Sequence, residues 1–454
     1  MPPETETGTG GLKRWKLLLA PAGAAAVIAG LTWFGLDGDK SPPPAEAAVG
    51  LLARYAGFDH ARVLAESDKS IADLKARLAT PAGDMIDQEW LSIAYVNRSR
   101  LTGDFADLVK ARQAAQAGIA MSPPGTGPWL AKASAEYAAH RIADTQAALD
   151  VVDRYVVPDV MTRGEARAMR ADIAFSRGDY RGMERLLAET ETIDNWPGLW
   201  FRKALLARAR GDFDAARAAF VQADKINSDP TPRFRADMQM RLGELEFAQG
   251  RWDSARNHYQ QSIRALPGYW RAEMKLAQMD AIAGKTAQAL AVFERIADRW
   301  NEPDAMYVAA GLNRDLGQED KAKVWIARAD RVWQERLKQL PEAAWGHALE
   351  HELAFGDPKR ALDLALKNAR NRPYGIPMLL LAEAWNANGQ PDKALAVCMA
   401  VEKSGWASAD QWTIRSVALD KLGRTEQAAA ARAKAVAINP REYDPNPALA
   451  WFHD

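Results

Sequence analysis

Residues 241–267, RLGELEFAQGRWDSARNHYQQSIRALP, decide how the chain folds. Met238, Leu242 and Leu245 recur at helical spacing before Gly250, and Trp252, Ala255, Tyr259, Ile263 and Leu266 do so after it. Apolar residues three and four positions apart share one face of a helix, so the spacing predicts two amphipathic helices. Gly250 lies between them because a tight helix-to-helix turn takes a positive φ, which glycine adopts without steric cost. Pro267 ends the second helix, having no amide proton to continue it. A pair of this kind buries its apolar stripe only against neighbours of the same kind.

Those neighbours can be counted from their turn glycines: Gly103, Gly178, Gly211, Gly250, Gly284, Gly317, Gly356, Gly389 and Gly423. From Gly178 onward the spacings are 33, 39, 34, 33, 39, 33 and 34. The first gap, 75 residues, holds two units, with the missing turn near His140-Arg141. Pro123, Pro267, Pro373 and Pro440 each lie 12 residues beyond an alanine of a second helix, namely Ala111, Ala255, Ala361 and Ala428. Of the two long steps, one holds the breaker cluster Ser228-Asp229-Pro230-Thr231-Pro232, a longer loop. The other runs through 331–345, RVWQERLKQLPEAAW, a second helix extended by about a turn before Pro341.

A period near 34 with Leu242, Gly243, Gly250, Ala255, Tyr259 and Pro267 in these places resembles the tetratricopeptide repeat (TPR). Around Gly211, Ala204, Ala216 and Ala223 stand where helices approach closely, with Trp200 and Phe220 as large partners. Met183 in an alanine position and Arg415-Ser416 in an apolar-small position depart from the pattern. The expected fold is all-α, a TPR-type helical-hairpin solenoid of about ten repeats over residues 84–440. The resemblance implies a concave groove lined by first helices. Carried onto this chain, its positions are Arg208, Met240, Glu244, Phe247, Arg271, Met274, Gln278, Tyr307, Arg314, Glu350, Glu383 and Asn386. Aromatic, methionine and both charge signs together suit a protein or peptide segment. The lysine and asparagine set with which some TPR domains grip a C-terminal carboxylate is absent.

Outside the repeats, residues 17–36, LLLAPAGAAAVIAGLTWFGL, carry no charge over 20 positions, matching the ~20 residues a helix needs to cross a bilayer. Trp15 and Trp33 flank that run. Lys13, Arg14 and Lys16 precede it, against Lys40 alone close after it. The asymmetry places 1–16 in the cytoplasm and the repeats beyond the membrane, on the periplasmic side if the membrane is a bacterial inner one. Ala45-Glu46-Ala47 has the form of a signal-peptide cleavage site but lies far beyond Leu36. Residues 37–48 form a proline-rich linker, 49–83 capping helices and 441–454 a C-terminal tail. Lysine plus arginine and aspartate plus glutamate number 59 each, which leaves no basic excess to hold nucleic acid. One cysteine, Cys398, excludes an intramolecular disulfide and a thiolate metal cluster.

His347-Ala348-Leu349-Glu350-His351 matches H-x-x-E-H, the zinc-hydrolase pattern in which two histidines one turn apart bind metal and the glutamate activates water. Trp345, Ala348, Leu349, Gly356, Ala361 and Pro373 keep repeat register straight through it, which favours ordinary helix histidines. The 16 tryptophans divide by register too: Trp200, Trp345 and Trp412 occupy equivalent places and are assigned to packing. The expected function is therefore a membrane-tethered, non-enzymatic scaffold needing no cofactor. Two neighbouring readings come from resemblance. One is a chaperone of the cytochrome c maturation type. The other is an accessory protein of a membrane transport system, since the Leu101-Thr102-Gly103-Asp104 turn and the histidine of the second repeat resemble bacterial TPR proteins associated with nickel or cobalt permeases.

Overall fold

The computed structural model describes residues 57–155, 160–191, 195–228 and 230–452. The expected segments 1–16, 17–36 and 37–48 lie outside them, and among the described residues no helix is long and apolar enough to cross a membrane. Helix α1 (His60–Leu78) precedes ten helical hairpins. The first five are α2 (Met85–Thr102) with α3 (Phe105–Ala120), α4 (Trp129–Ala138) with α5 (Ile142–Val152), α6 (Val160–Ser176) with α7 (Tyr180–Glu191), α8 (Pro197–Ala209) with α9 (Phe213–Lys225), and α10 (Pro232–Phe247) with α11 (Trp252–Ala265). The next five are α12 (Trp270–Ile282) with α13 (Thr286–Trp300), α14 (Pro303–Asp315) with α15 (Glu319–Gln339), α16 (Pro341–Phe355) with α17 (Pro358–Asn371), α18 (Gly375–Ala387) with α19 (Pro391–Ser404), and α20 (Ala409–Lys421) with α21 (Thr425–Ile438). No strand occurs among the described residues.

Local chemistry sets the ends of these helices. The side chains of Asp84, Asp104, Asp212, Thr231, Asp357 and Ser408 accept backbone N–H bonds at helix starts, satisfying donors that have no partner in the first turn. Gly250 takes φ +70° between α10 and α11. In the second repeat His140 makes the same turn without glycine, at φ +59°. Gly356 differs from the other turn glycines, with φ −116°. There the Glu352 carboxylate accepts the Asp357 N–H and closes the turn. The long step after Gly317 is the 21-residue helix α15, and the other is the 226–231 connection before α10. Ala204, Ala216 and Ala223 are buried against Phe201 and Phe220, whose rings meet edge to face at 5.5 Å. Trp200, Trp345 and Trp412 pack half-buried on the cores of their repeats, and Cys398 is fully buried.

The solenoid coils back onto itself. The Trp270 indole N–H donates to Leu101 O at 2.7 Å across 169 positions, and the Tyr180 hydroxyl accepts the Gly375 N–H at 3.1 Å across 195. Arg141 pairs with Glu342 at 2.9 Å, Asn371 donates to His140 O, and Ala407 N–H donates to Ala209 O at 2.8 Å. Leu340 and Ala343 share a core with Leu91, Tyr95 and Ala139. Hairpin turns of the early repeats thus rest on inter-repeat connections of the later ones. The inner helices are left facing a lumen instead of an open groove.

Candidate functional site: the lumen

A cavity of about 330 Å³ lies inside this coil, walled by α2, α10, α12, α14, α15 and α16. Of the positions carried over from the family, Met240, Glu244, Arg271, Met274, Gln278, Tyr307 and Glu350 meet around it. They come together because they lie on the same face of the first helices of successive repeats. The other five lie elsewhere. Phe247 stacks on Trp252 at 6.4 Å, and Arg314 pairs with Glu319 at 3.4 Å while covering the Phe355 ring. Asn386 donates to Ile414 O, Glu383 is buried, and Arg208 is half-buried near Asp410. Burial pushes the Asp410 carboxyl up to about 6 against the pull of Arg208.

One wall of the cavity carries both charge signs, with cations in excess. Arg241 and Glu244 pair at 2.7 Å, with Lys275 at 3.8 Å from the other carboxylate oxygen. Burial pushes the Glu244 carboxyl up, but Arg241, Lys275 and Arg208 together hold it below the usual range. Arg271 lies over the Trp270 ring at 4.3 Å and acts on Asp304 from beyond ion-pair distance.

The opposite wall holds Asp304, His347 and Glu350. The His347 imidazole stacks flat on Trp333 at 5.7 Å and meets Asp304 at 3.2 Å and Glu350 at 3.6 Å. Burial opposes its charge, yet the two carboxylates raise its pKa well above 6.5. Glu350 is pushed by burial up to about 7, with His347 pulling the other way. His351 turns away and bonds Asp330 at 2.7 Å. The two histidines of the H-x-x-E-H segment are therefore engaged separately. Among the described residues, no three histidine, cysteine or acidic side chains are grouped to hold a metal ion.

Several buried polar atoms on this lining have no hydrogen-bond partner among the described residues: Gln278 Nε2, Tyr307 Oη, Trp333 Nε1, Glu350 Oε1 and His351 Nδ1. A polar group left unpaired in a low-dielectric interior costs about 1–3 kcal/mol.

Residues 441–452, placed by the sequence in a tail after the solenoid, fold back into it. Arg441 covers the Trp252 ring at 4.3 Å, and Glu442 accepts from Thr413 at 2.6 Å. Asn446 donates to Ile282 O and starts a short 3-10 helix, Pro447–Trp451. The Trp451 indole stacks on Phe355 at 5.8 Å, meets Tyr307 edge-on at 6.2 Å and donates to Asp315 at 2.7 Å. Phe452 stacks on Phe293 at 5.9 Å, and both rings form part of the cavity wall. The one signal in the sequence was Gly311, a glycine inside a helix with no turn to make.

The fold is a helical-hairpin solenoid that encloses a lumen. Residues 201–269 and 240–303 match the tetratricopeptide repeat family, which supports reading the hairpins of this chain as tetratricopeptide repeats. No curated protein matches it. Similar solved structures include a tetratricopeptide repeat protein from Parabacteroides merdae, 17% identical over 56% of this chain and 99% of that one, with a TM-score of 0.34. A Rap protein complexed with competence and sporulation factor is 12% identical over 67% and 94%, at 0.41. Yeast Tom70 is 17% identical over 87% and 86%, at 0.35. Likenesses at this level say nothing about a partner.

Proposed function

We propose that the protein is a membrane-tethered scaffold that holds a protein or peptide segment inside its lumen, on the periplasmic side of a bacterial inner membrane. The observation that carries the lumen reading is the seating of residues 446–452 on the inner helices, a peptide segment already held there through aromatic stacking and hydrogen bonds. The mixed lining of Arg271, Lys275, Gln278 and Glu350 beside it supports the same reading, since a peptide brings both donors and acceptors. The tether and its orientation rest on the uncharged run 17–36 and the basic residues before it.

The test is photo-crosslinking in membranes with full-length protein carrying a crosslinking amino acid at Arg271 or Met274, compared with one at exposed Val324. One exported or membrane protein captured from the two lumen positions and not from Val324 is the expected result. The same background of abundant proteins from all three positions would overturn it.

A further inference from the structure

We infer that residues 446–452 are a resident ligand of the lumen, and that a partner enters by displacing them with a segment carrying two adjacent aromatic residues followed by polar ones. This rests on the reading of the lumen as a peptide-binding surface and specifies the peptide. The segment is held as a ligand is held. Trp451 occupies a notch on α14 made by Gly311, where a Cβ would fall inside the indole. Its ring meets Phe355 and Tyr307, while its N–H reaches Asp315. Phe452 fills the next place, against Phe293. Asn446 anchors the near end through Ile282 O.

The segment is only partly embedded: Ala448 and Phe452 are buried in the core, and its other residues are half-buried or exposed. A 3-10 turn of five residues has little stability of its own, and Leu449 and Trp451 remain only half-buried. The cavity is also lined by polar side chains with which residues 446–452 make no hydrogen bond or ion pair. Arg271 lies on the Trp270 ring with no carboxylate within ion-pair distance among the described residues, Asp304 being farther off in the same lining, and Gln278 and Lys275 line the cavity beside it. A partner segment that repeats the aromatic pair and continues with acceptor-bearing residues makes every contact of the resident segment and these as well. That difference supplies the free energy for exchange, since a ligand shifts an equilibrium only by its differential affinity.

The probe is a fluorescent synthetic peptide of residues 444–454, DPNPALAWFHD, followed by anisotropy. It is titrated into the wild-type chain, into a chain ending at Tyr443, and into the full chain with Trp451→Ala and Phe452→Ala together. The last variant keeps the 441–445 contacts, and circular dichroism reports whether each is folded. A tethered segment competes at an effective concentration on the order of millimolar. The wild type is therefore expected to bind the peptide about ten-fold more weakly, or worse, than either altered chain. Gly311→Leu, added to the double variant, is expected to abolish binding by filling the notch.

Equal binding to wild type and variants, or no binding to a folded variant, would overturn the inference. If the peptide fails while lumen crosslinks still capture a partner, the segment is a structural strap and the scaffold reading stands. If the crosslinks fail while the peptide binds, the lumen serves only the chain itself.

Discussion

Gly311 and Trp451 fit each other across 140 residues of chain: the indole of the second lies where the side chain of any other residue at the first would be. Glycine inside a helix costs about 1 kcal/mol relative to alanine, and here the vacated volume holds a ring. Gly311→Ala gains that propensity and loses the seat of Trp451. The melting temperature is expected to move little, while residues 444–452 become sensitive to limited proteolysis and Trp451 fluorescence shifts to the red. A protected tail in the variant would show that the notch does not seat it.

Turn glycines at equivalent repeat positions are not equivalent in the coil. Gly178 and Gly389 both have positive φ, +72° and +70°, so alanine strains either turn by about 1–2 kcal/mol. A Cβ at 178 would also come within 2.9 Å of Pro373 O, a backbone atom that cannot swing aside, whereas at 389 it meets nothing. Gly178→Ala is therefore expected to lower the urea midpoint clearly more than Gly389→Ala. Equal losses would place the coil contacts outside the solution structure.

Two buried arginines make opposite predictions. Arg202 and Asp172 form a two-fold ion pair, 2.9 and 2.8 Å, with both side chains fully buried. Arg202→Met leaves a carboxylate alone in the core and is expected to cost about 3–5 kcal/mol. Arg372 is equally buried but bonds only Asn368, and its Nε and Nη1 have no partner among the described residues. Burial lowers its pKa accordingly. Arg372→Met removes an uncompensated charge and is expected to be neutral or to stabilise by about 1–2 kcal/mol in urea melts.

The carboxylate pair around His347 gives stability a pH slope. Glu350 goes from an ordinary 4.5 to about 7 in the fold, so between those values the folded chain binds more protons than the unfolded one. Stability then falls as pH rises through that window. His347 has the same sign, because its raised pKa stabilises fully below 6.5 and the contribution is lost as pH climbs through the folded value. In melting temperature these two groups favour the fold at pH 5.5 over pH 8, against His60, His140 and His258, whose pKa values burial lowers and which act with the opposite sign. Glu350→Gln should remove the Glu350 part of this difference and exceed wild type at pH 8. An unchanged slope would place the proton elsewhere.

How far the residues spoke for themselves differs from level to level. The repeat unit was legible at 241–267 because a helical hairpin is made by neighbours three and four apart, a turn glycine and a proline stop, all of which leave a mark in the local pattern. The turn at His140 was found through its position in the period, although nothing in the residue type announces a positive φ. Seven of the twelve groove positions meet around one cavity because repeats place equivalent residues on one inner wall.

What the pattern did not carry is the closure. It arises from small rotations between successive hairpins that add along the chain, and only their sum brings Tyr180 to Gly375 or Arg141 to Glu342. Closure turns a solvated groove into a lumen, and the chain folding back puts Trp451 over Gly311, whereas the two carboxylates of His347 come from its own helix and from the adjacent repeat. The sequence by itself determined the hairpin, its period and its inner face, since those depend on contacts within and between adjacent repeats. Tertiary structure alone decided which inner residues are buried, charged or occupied, because those depend on residues a whole turn of the coil away.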